Sequence, residues 1–85
     1  MNIFDDLIKL ARERKSKPIE GSYTNKLLSD KSLSKAKILE EIGELIEAVE
    51  KDTNRIHEAA DVFYHLIMYL AVSYTHLTLP TILLV

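Results

Sequence analysis

Residues 55–71 constrain the fold of this chain more than any other stretch. Ile56, Ala59, Val62, Phe63, Leu66, Ile67 and Leu70 point in most directions around a helix, so the segment calls for cover on nearly every side. The same run carries Glu58 and Asp61. Acidic groups on so apolar a helix are costly unless they reach solvent or a metal ion. With 85 residues the chain forms one domain at most. A helical domain of this size buries a limited core and often borrows cover from a partner subunit, so a homodimer is the expected assembly.

The remaining segments also read as helices. Residues 2–15 place Ile3, Leu7, Leu10 and Ala11 on one stripe, with Asp5 and Asp6 near the start and Arg12, Arg14 and Lys15 near the end. That order of charge complements the helix dipole. Residues 16–22, with Pro18 and Gly21, read as a loop, and residues 23–29 as a helical turn. Ser32 or Ser34 is the expected cap of a helix running to about Lys51. Asp52, Thr53 and Asn54 make a polar connection, and Asn54 is the expected cap of the helix from Arg55 to at least Ala71. No strand alternation, internal repeat or low-complexity tract interrupts this pattern. The expected fold is all-α, an antiparallel helical bundle.

Composition narrows the function classes. A formal net charge of -2 gives no reason to expect nucleic-acid binding. The absence of cysteine excludes a disulfide scaffold and a thiolate metal site, and fits a reducing compartment. The first residues, MNIFDDLIKLARERK, carry acids before bases, the reverse of a signal peptide. The longest apolar run, residues 66–72, is too short to span a membrane. A cytoplasmic location and no membrane partner are expected. The helical start directly after Met1 argues against an upstream domain.

From Val72 the composition changes. VSYTHLTLPTILLV has no charged residue, several threonines and a proline. It reads as a docking tail or as an ordinary extension, but residues 72–81 also resemble translated adaptor DNA of the kind used in transposase-based sequencing libraries. On that last reading the domain is residues 1–71 and residues 72–85 are a non-native tail. The bundle would then be truncated at its C-terminus, with apolar surface left uncovered.

The chemistry lies in the carboxylates. With Ile38 at zero, Ile42, Leu45 and Val49 fall within roughly 40° on a helix of 3.6 residues per turn. Glu41 falls about 60° away, at the rim of that apolar face. Glu44 is one step further round, and Glu40 and Glu47 lie further still. Glu41 and Glu44 are three apart and hence surface neighbours, a spacing that Glu58 and Asp61 repeat on the next helix. Two such pairs on facing helices make an oxygen-lined cage whose members repel unless a cation sits between them. Magnesium suits carboxylate, water and phosphate oxygens, with manganese as the alternative ion. Such an ion supports hydrolysis within a di- or triphosphate. The competing view is that glutamates populate any solvated helix face, and Glu47 and Glu50 are read that way. His65 follows Asp61 by four and joins that face, as a packing or supporting histidine rather than a ligand. His57 is read as a surface residue.

The pattern Glu40-Glu41-Ile42-Gly43-Glu44 followed by Glu58-Ala59-Ala60-Asp61 resembles the EExxE and ExxD motifs of the MazG-type all-helical nucleotide pyrophosphatases. A second block, Arg14-Lys15, Pro18 and then Gly21-Ser22-Tyr23-Thr24-Asn25-Lys26-Leu27-Leu28, resembles the phosphoribosyl-ATP pyrophosphohydrolase signature RK…P..GSYTxKLL. EAADVFYHL, residues 58–66, is similar to that family's EAADLLYHL. The similarity covers residues 3–71. It departs at Lys37-Ile38-Leu39-Glu40-Glu41, which lacks the glycine of the family's KVGEE. It departs again at residues 42–48, which read more like general nucleotide-cleaning members, and at residues 30–35, which replace the usual KGxxKI linker.

The resemblance implies hydrolysis of phosphoribosyl-ATP to phosphoribosyl-AMP and pyrophosphate, the second step of L-histidine biosynthesis. It implies Glu41, Glu44, Glu58 and Asp61 as metal ligands. Glu40 would bind a second ion or orient water, which makes Glu40 and Glu41 the catalytic candidates. Ser22, Tyr23, Thr24 and Lys26 are donors suited to phosphate or ribose oxygens, and Arg14 and Lys15 add charge at the entrance. Taken without the resemblance, the same block reads first as a turn whose serine and threonine cap a helix, with Tyr23 in the core. Two other functions stay open: a house-cleaning nucleoside triphosphate pyrophosphatase of the same fold, and an inactive helical oligomerisation or regulatory module.

Overall fold

The structure, a computed structural model, describes residues 2–73. Among these residues there are four helices and no strand. The first, α1 (Ile3–Ser16), starts where the Asn2 side chain accepts the Phe4 amide at 2.8 Å. Its acids and bases lie at the ends that the sequence assigns them. Its buried residues are Ile8 and Ala11, with Leu7 and Leu10 half-buried beside them, while Ile3 is exposed. The inward stripe therefore keeps Leu7, Leu10 and Ala11 but takes in Ile8 in place of Ile3.

Residues 23–29 form a true short helix, α2 (Tyr23–Ser29), rather than an isolated turn. Gly21 precedes it at φ +81, in the left-handed region that favours glycine. The Ser22 hydroxyl then accepts the Asn25 amide at 3.4 Å.

The next helix, α3 (Lys31–Lys51), begins earlier than expected. Its cap is Asp30, whose carboxylate accepts the Leu33 amide at 3.0 Å. Ser32 and Ser34 both lie inside the helix. Ser34 is 1% exposed, and its hydroxyl donates to the Leu27 carbonyl at 2.9 Å. A carboxylate in extended backbone directly before the first turn outcompetes the serines, and Ser34 ties α3 to α2 instead. Asp52 ends α3 in the left-handed conformation at φ 55. Its amide and that of Thr53 return to the Val49 and Ala48 carbonyls. Asn54 also has positive φ, and its carbonyl accepts the Glu58 amide at 3.0 Å. This three-residue connection folds α4 (Arg55–Ser73) back along α3.

The central element is α4, which packs against α1, α2 and α3. Ile67, Met68 and Ala71 meet Ile8, Ala11 and Leu27 in the core, and Phe4 meets Phe63 edge to face. Cover is nonetheless incomplete. Ile56 is 84% exposed, and Phe63 and Leu66 lie at the open margin. On α3, Leu39, Ile42, Ile46 and Val49 form an exposed stripe at spacings of three and four. The segment 55–71 is thus covered where it faces α1, α2 and α3 but not all round. Residues 74–85 lie outside the described residues, and with them most of the adaptor-like stretch; Val72 and Ser73 are the last residues of α4.

Candidate active site

The hairpin of α3 and α4 sets acids of the two helices against each other. Glu41 is 9% exposed, held at the edge of the interface by Ile38 and Ala48 on the same buried side of α3. Glu41, Glu44 and Glu58 each offer an oxygen, all within 4.8 Å of one another. One oxygen of Glu41 and one of Glu58 are buried without any hydrogen-bond partner. An unsatisfied buried carboxylate oxygen is rare, because it forfeits its hydration. Burial pushes the Glu41 carboxyl up from 4.5 to about 7. A hydrogen bond with Glu44 and the charges of Glu44, Asp61 and Glu58 add to the rise.

Asp61 contributes to that field but stands in a second cluster. His57, Glu58 and Asp61 also place ligand atoms within 4.8 Å of one another, so Glu58 belongs to both groups. The His57 Nε2 lies 3.5 Å from the Asp61 Oδ2. Glu40 is elsewhere: it is exposed and ion-paired with Lys37 at 3.0 Å. Glu47 pairs with Lys51 at 2.8 Å on the solvated side.

The Gly21–Lys26 block meets this site through aromatic groups. The Tyr23 hydroxyl lies 2.8 Å from the His65 Nε2, and the His65 Nδ1 lies 2.8 Å from the Asp61 carbonyl oxygen. A carbonyl only accepts, so Nδ1 carries the proton, and in the neutral ring Nε2 accepts from the phenol. His65 is buried with both nitrogens engaged, behind the carboxylates rather than among them. Burial raises the pKa of Tyr23; Lys37 opposes the shift, while Tyr64, Glu41 and Glu40 add to it. The Thr24 hydroxyl bonds the Tyr64 hydroxyl and so faces α4.

On the other side of α2, an open cleft of about 470 Å³ is lined by Arg14, Lys15, Ser22, Asn25 and Lys26 among others. Its wall is cross-braced. The Arg14 guanidinium donates to the Ser22 hydroxyl at 2.9 Å, and the Asn25 amide donates to the Arg14 carbonyl at 3.0 Å. The Lys15 ammonium donates to the Ala71 carbonyl at 2.8 Å, fastening α1 to α4.

Sequence reasoning gave no role to Asn25, Lys37 or Tyr64, and read His57 only as a surface residue. Two local signals exist, the four-residue step from His57 to Asp61 and the three-residue step from Lys37 to Glu40. Asn25 and Tyr64 depend on contacts between segments.

Comparison with known proteins narrows the family. The phosphoribosyl-ATP pyrophosphohydrolase family matches residues 4–79. This chain belongs to that family. It is 41% identical to a phosphoribosyl-ATP pyrophosphatase of Clostridium botulinum over 79% of this chain and 64% of the relative. A phosphoribosyl-ATP pyrophosphatase of Methanobrevibacter smithii is 35% identical, over 80% and 75% respectively. A histidine biosynthesis bifunctional protein HisIE of Pyrococcus furiosus is 38% identical over 82% of this chain and 34% of the relative. The chain spans about a third of the length of such bifunctional relatives. No solved structure matches it significantly. Among the described residues, no helix is long and apolar enough to cross a membrane. The blocks that carry the family resemblance, Gly21–Leu28 and Glu58–Leu66, are those joined by the Tyr23–His65 contact.

Proposed function

We propose that this pyrophosphohydrolase family member cleaves phosphoribosyl-ATP to phosphoribosyl-AMP and pyrophosphate, in the cytoplasm, with a divalent cation held between α3 and α4. The observation that carries the reading is the pair of buried, partnerless oxygens on Glu41 and Glu58, which project from facing helices. Three carboxylates gathered this closely fit a hard cation, and Asp61 extends the acidic set on the α4 side. Magnesium is the first candidate and manganese the second. When bound, the ion neutralises phosphate oxygens and makes a water easier to ionise.

The residues of the chain supply the rest. Burial and the negative charges of Glu44, Asp61 and Glu58 favour the protonated form of Glu41; a cation bound among them would favour the ionised carboxylate, able to hold the ion and to orient a water. Glu40, one step round the helix, sets the charge on Lys37 and beside Tyr23 and so supports the site from outside. Tyr23 and Thr24 are positioned by His65 and Tyr64, while Arg14, Lys15, Ser22 and Lys26 line a cleft suited to phosphate and ribose oxygens. The exposed stripe of Leu39, Ile42, Ile46 and Val49, with Ile56, Phe63 and Leu66, supports a homodimer that supplies the missing cover.

The test is substrate choice. The purified protein with magnesium releases pyrophosphate from phosphoribosyl-ATP in preference to dUTP and other free nucleoside triphosphates. Preference for free triphosphates would assign it to nucleotide cleaning instead.

A further inference from the structure

We propose that the cleft on the outer side of α2 holds the ribose and 5-phosphate of the phosphoribosyl group, and so separates phosphoribosyl-ATP from a free nucleoside triphosphate. The inference rests on the reading of α3 and α4 as the place of anhydride cleavage, and assigns a site to the other end of that substrate.

The chemistry of phosphoribosyl-ATP calls for two anion sites. Its polyphosphate goes to the cation between α3 and α4. Its phosphoribosyl group carries a further phosphate, held away from the first by sugars and a nucleobase. Glu41, Glu44, Glu58 and Asp61 repel that phosphate unless another cation comes with it. The cleft has the opposite character. Arg14, Lys15 and Lys26 line it, against Glu20 as its one acid, and none of the four site carboxylates belongs to its wall. Helix α2 divides the two places. Ser22, Asn25, Lys26 and Ser29, spaced by three and four, face the cleft, whereas Tyr23 and Thr24 turn to His65 and Tyr64.

The cleft is braced before a ligand arrives. Arg14 is half-buried, and its guanidinium is held by the Ser22 hydroxyl while the Asn25 amide holds its carbonyl. The Ser22 bond is the one that this guanidinium makes among the described residues, so its fork keeps further N–H donors for an oxyanion. The Lys26 side chain stands at the exposed rim, with no hydrogen bond or ion pair among the described residues. Lys15 is engaged with the Ala71 carbonyl and adds charge. A fixed fork facing a flexible ammonium suits the terminal oxygens of a phosphomonoester. Pro18 and Ile19 add an apolar strip on which the carbon face of a sugar ring can rest, and about 470 Å³ is ample for a pentose phosphate. The bland alternative is a solvated joint between α1 and α2 whose lysines meet only water.

Ribose 5-phosphate is the probe, added to the full chain freed of metal and followed by nitrogen-15 amide shifts. The shifts should gather at Gly21, Ser22 and Lys26, and Lys26→Ala should weaken binding about tenfold. With magnesium present, ribose 5-phosphate should inhibit the parent competitively against phosphoribosyl-ATP. Lys26→Ala should raise KM for that substrate about tenfold with kcat little changed, and Lys26→Arg should restore it. Lys26 is exposed, so Lys26→Ala should fold as the parent does, which circular dichroism checks. Phosphoribosyl-ATP turnover without ribose 5-phosphate shifts in the cleft, or with shifts confined to α3 and α4, would overturn the assignment and leave the catalytic reading standing. Displacement of ribose 5-phosphate from those amides by equimolar pyrophosphate would give the cleft to the polyphosphate end and overturn it as well. No magnesium-dependent turnover of phosphoribosyl-ATP would remove the catalytic reading, and this inference with it.

Discussion

The Tyr23 hydroxyl and the His65 Nε2 are 2.8 Å apart, and that contact joins the first block of family resemblance to the second. The other ring nitrogen of His65 holds the Asp61 carbonyl. A displacement of α2 is therefore felt at the backbone of a carboxylate residue in the site. Tyr23→Phe removes the hydroxyl and leaves the His65 Nε2 without its partner. The expected cost is about 1 kcal/mol of unfolding free energy, measured by urea denaturation. An unchanged denaturation midpoint would mean that the contact contributes nothing.

Glu41 makes stability depend on pH in a direction opposite to most carboxylates. Its folded pKa is raised from 4.5 to about 7, so the folded protein holds the proton more tightly than the unfolded chain. That contribution is fully present below about pH 4.5 and is lost as pH rises through about 7. Chelator-treated protein should lose stability over this window, and magnesium should restore it at pH 8 by binding the folded state. Glu41→Gln cannot ionise, so metal-free Glu41→Gln should be as stable as the parent at pH 8 or more so. Thermal unfolding across pH with and without chelator measures each effect.

The cleft beside α2 yields a kinetic prediction. Arg14 lines it while donating to Ser22. Arg14→Ala should raise KM for phosphoribosyl-ATP about tenfold with a smaller change in kcat, because a phosphate contact made in both ground and transition states is lost. A fall in kcat alone would instead place Arg14 at the reacting phosphates.

The exposed stripe of α3 predicts an assembly. Leu39, Ile42, Ile46 and Val49 recur at the spacing of a helix-packing seam. The parent should have the mass of a dimer by light scattering, and Ile46→Lys should shift it to monomer. A parent that is monomeric at micromolar concentration would remove the seam from the account.

Much of this architecture is legible in the residues. The apolar period and the charge order place α1, α4 and the end of α3 to within one or two residues, and the acidic spacing puts Glu41 next to Glu44. What escapes depends on competition or on partners across helices. Asp30 takes the cap of α3 from Ser32 and Ser34 because it lies directly before the first turn, and Ser34 finds the Leu27 carbonyl of another helix. The burial of Ile8 over Ile3 depends on where the core of α2 and α4 meets α1, which its own pattern does not contain. Helical spacing puts Lys37 within reach of Glu40, but does not say that this exposed pair forms in preference to a role for Glu40 at the ion. The engagement of His65 at both nitrogens likewise needs α2 in place.

The central claim is that carboxylates from α3 and α4 share a catalytic divalent ion. It is tested most directly by pyrophosphate release from phosphoribosyl-ATP as magnesium is titrated, in the parent and in Glu41→Gln. The parent should need magnesium and saturate with it, and Glu41→Gln should lose at least about a hundredfold in turnover while remaining folded. Turnover that survives chelation, or parent-level activity in Glu41→Gln, would contradict the claim.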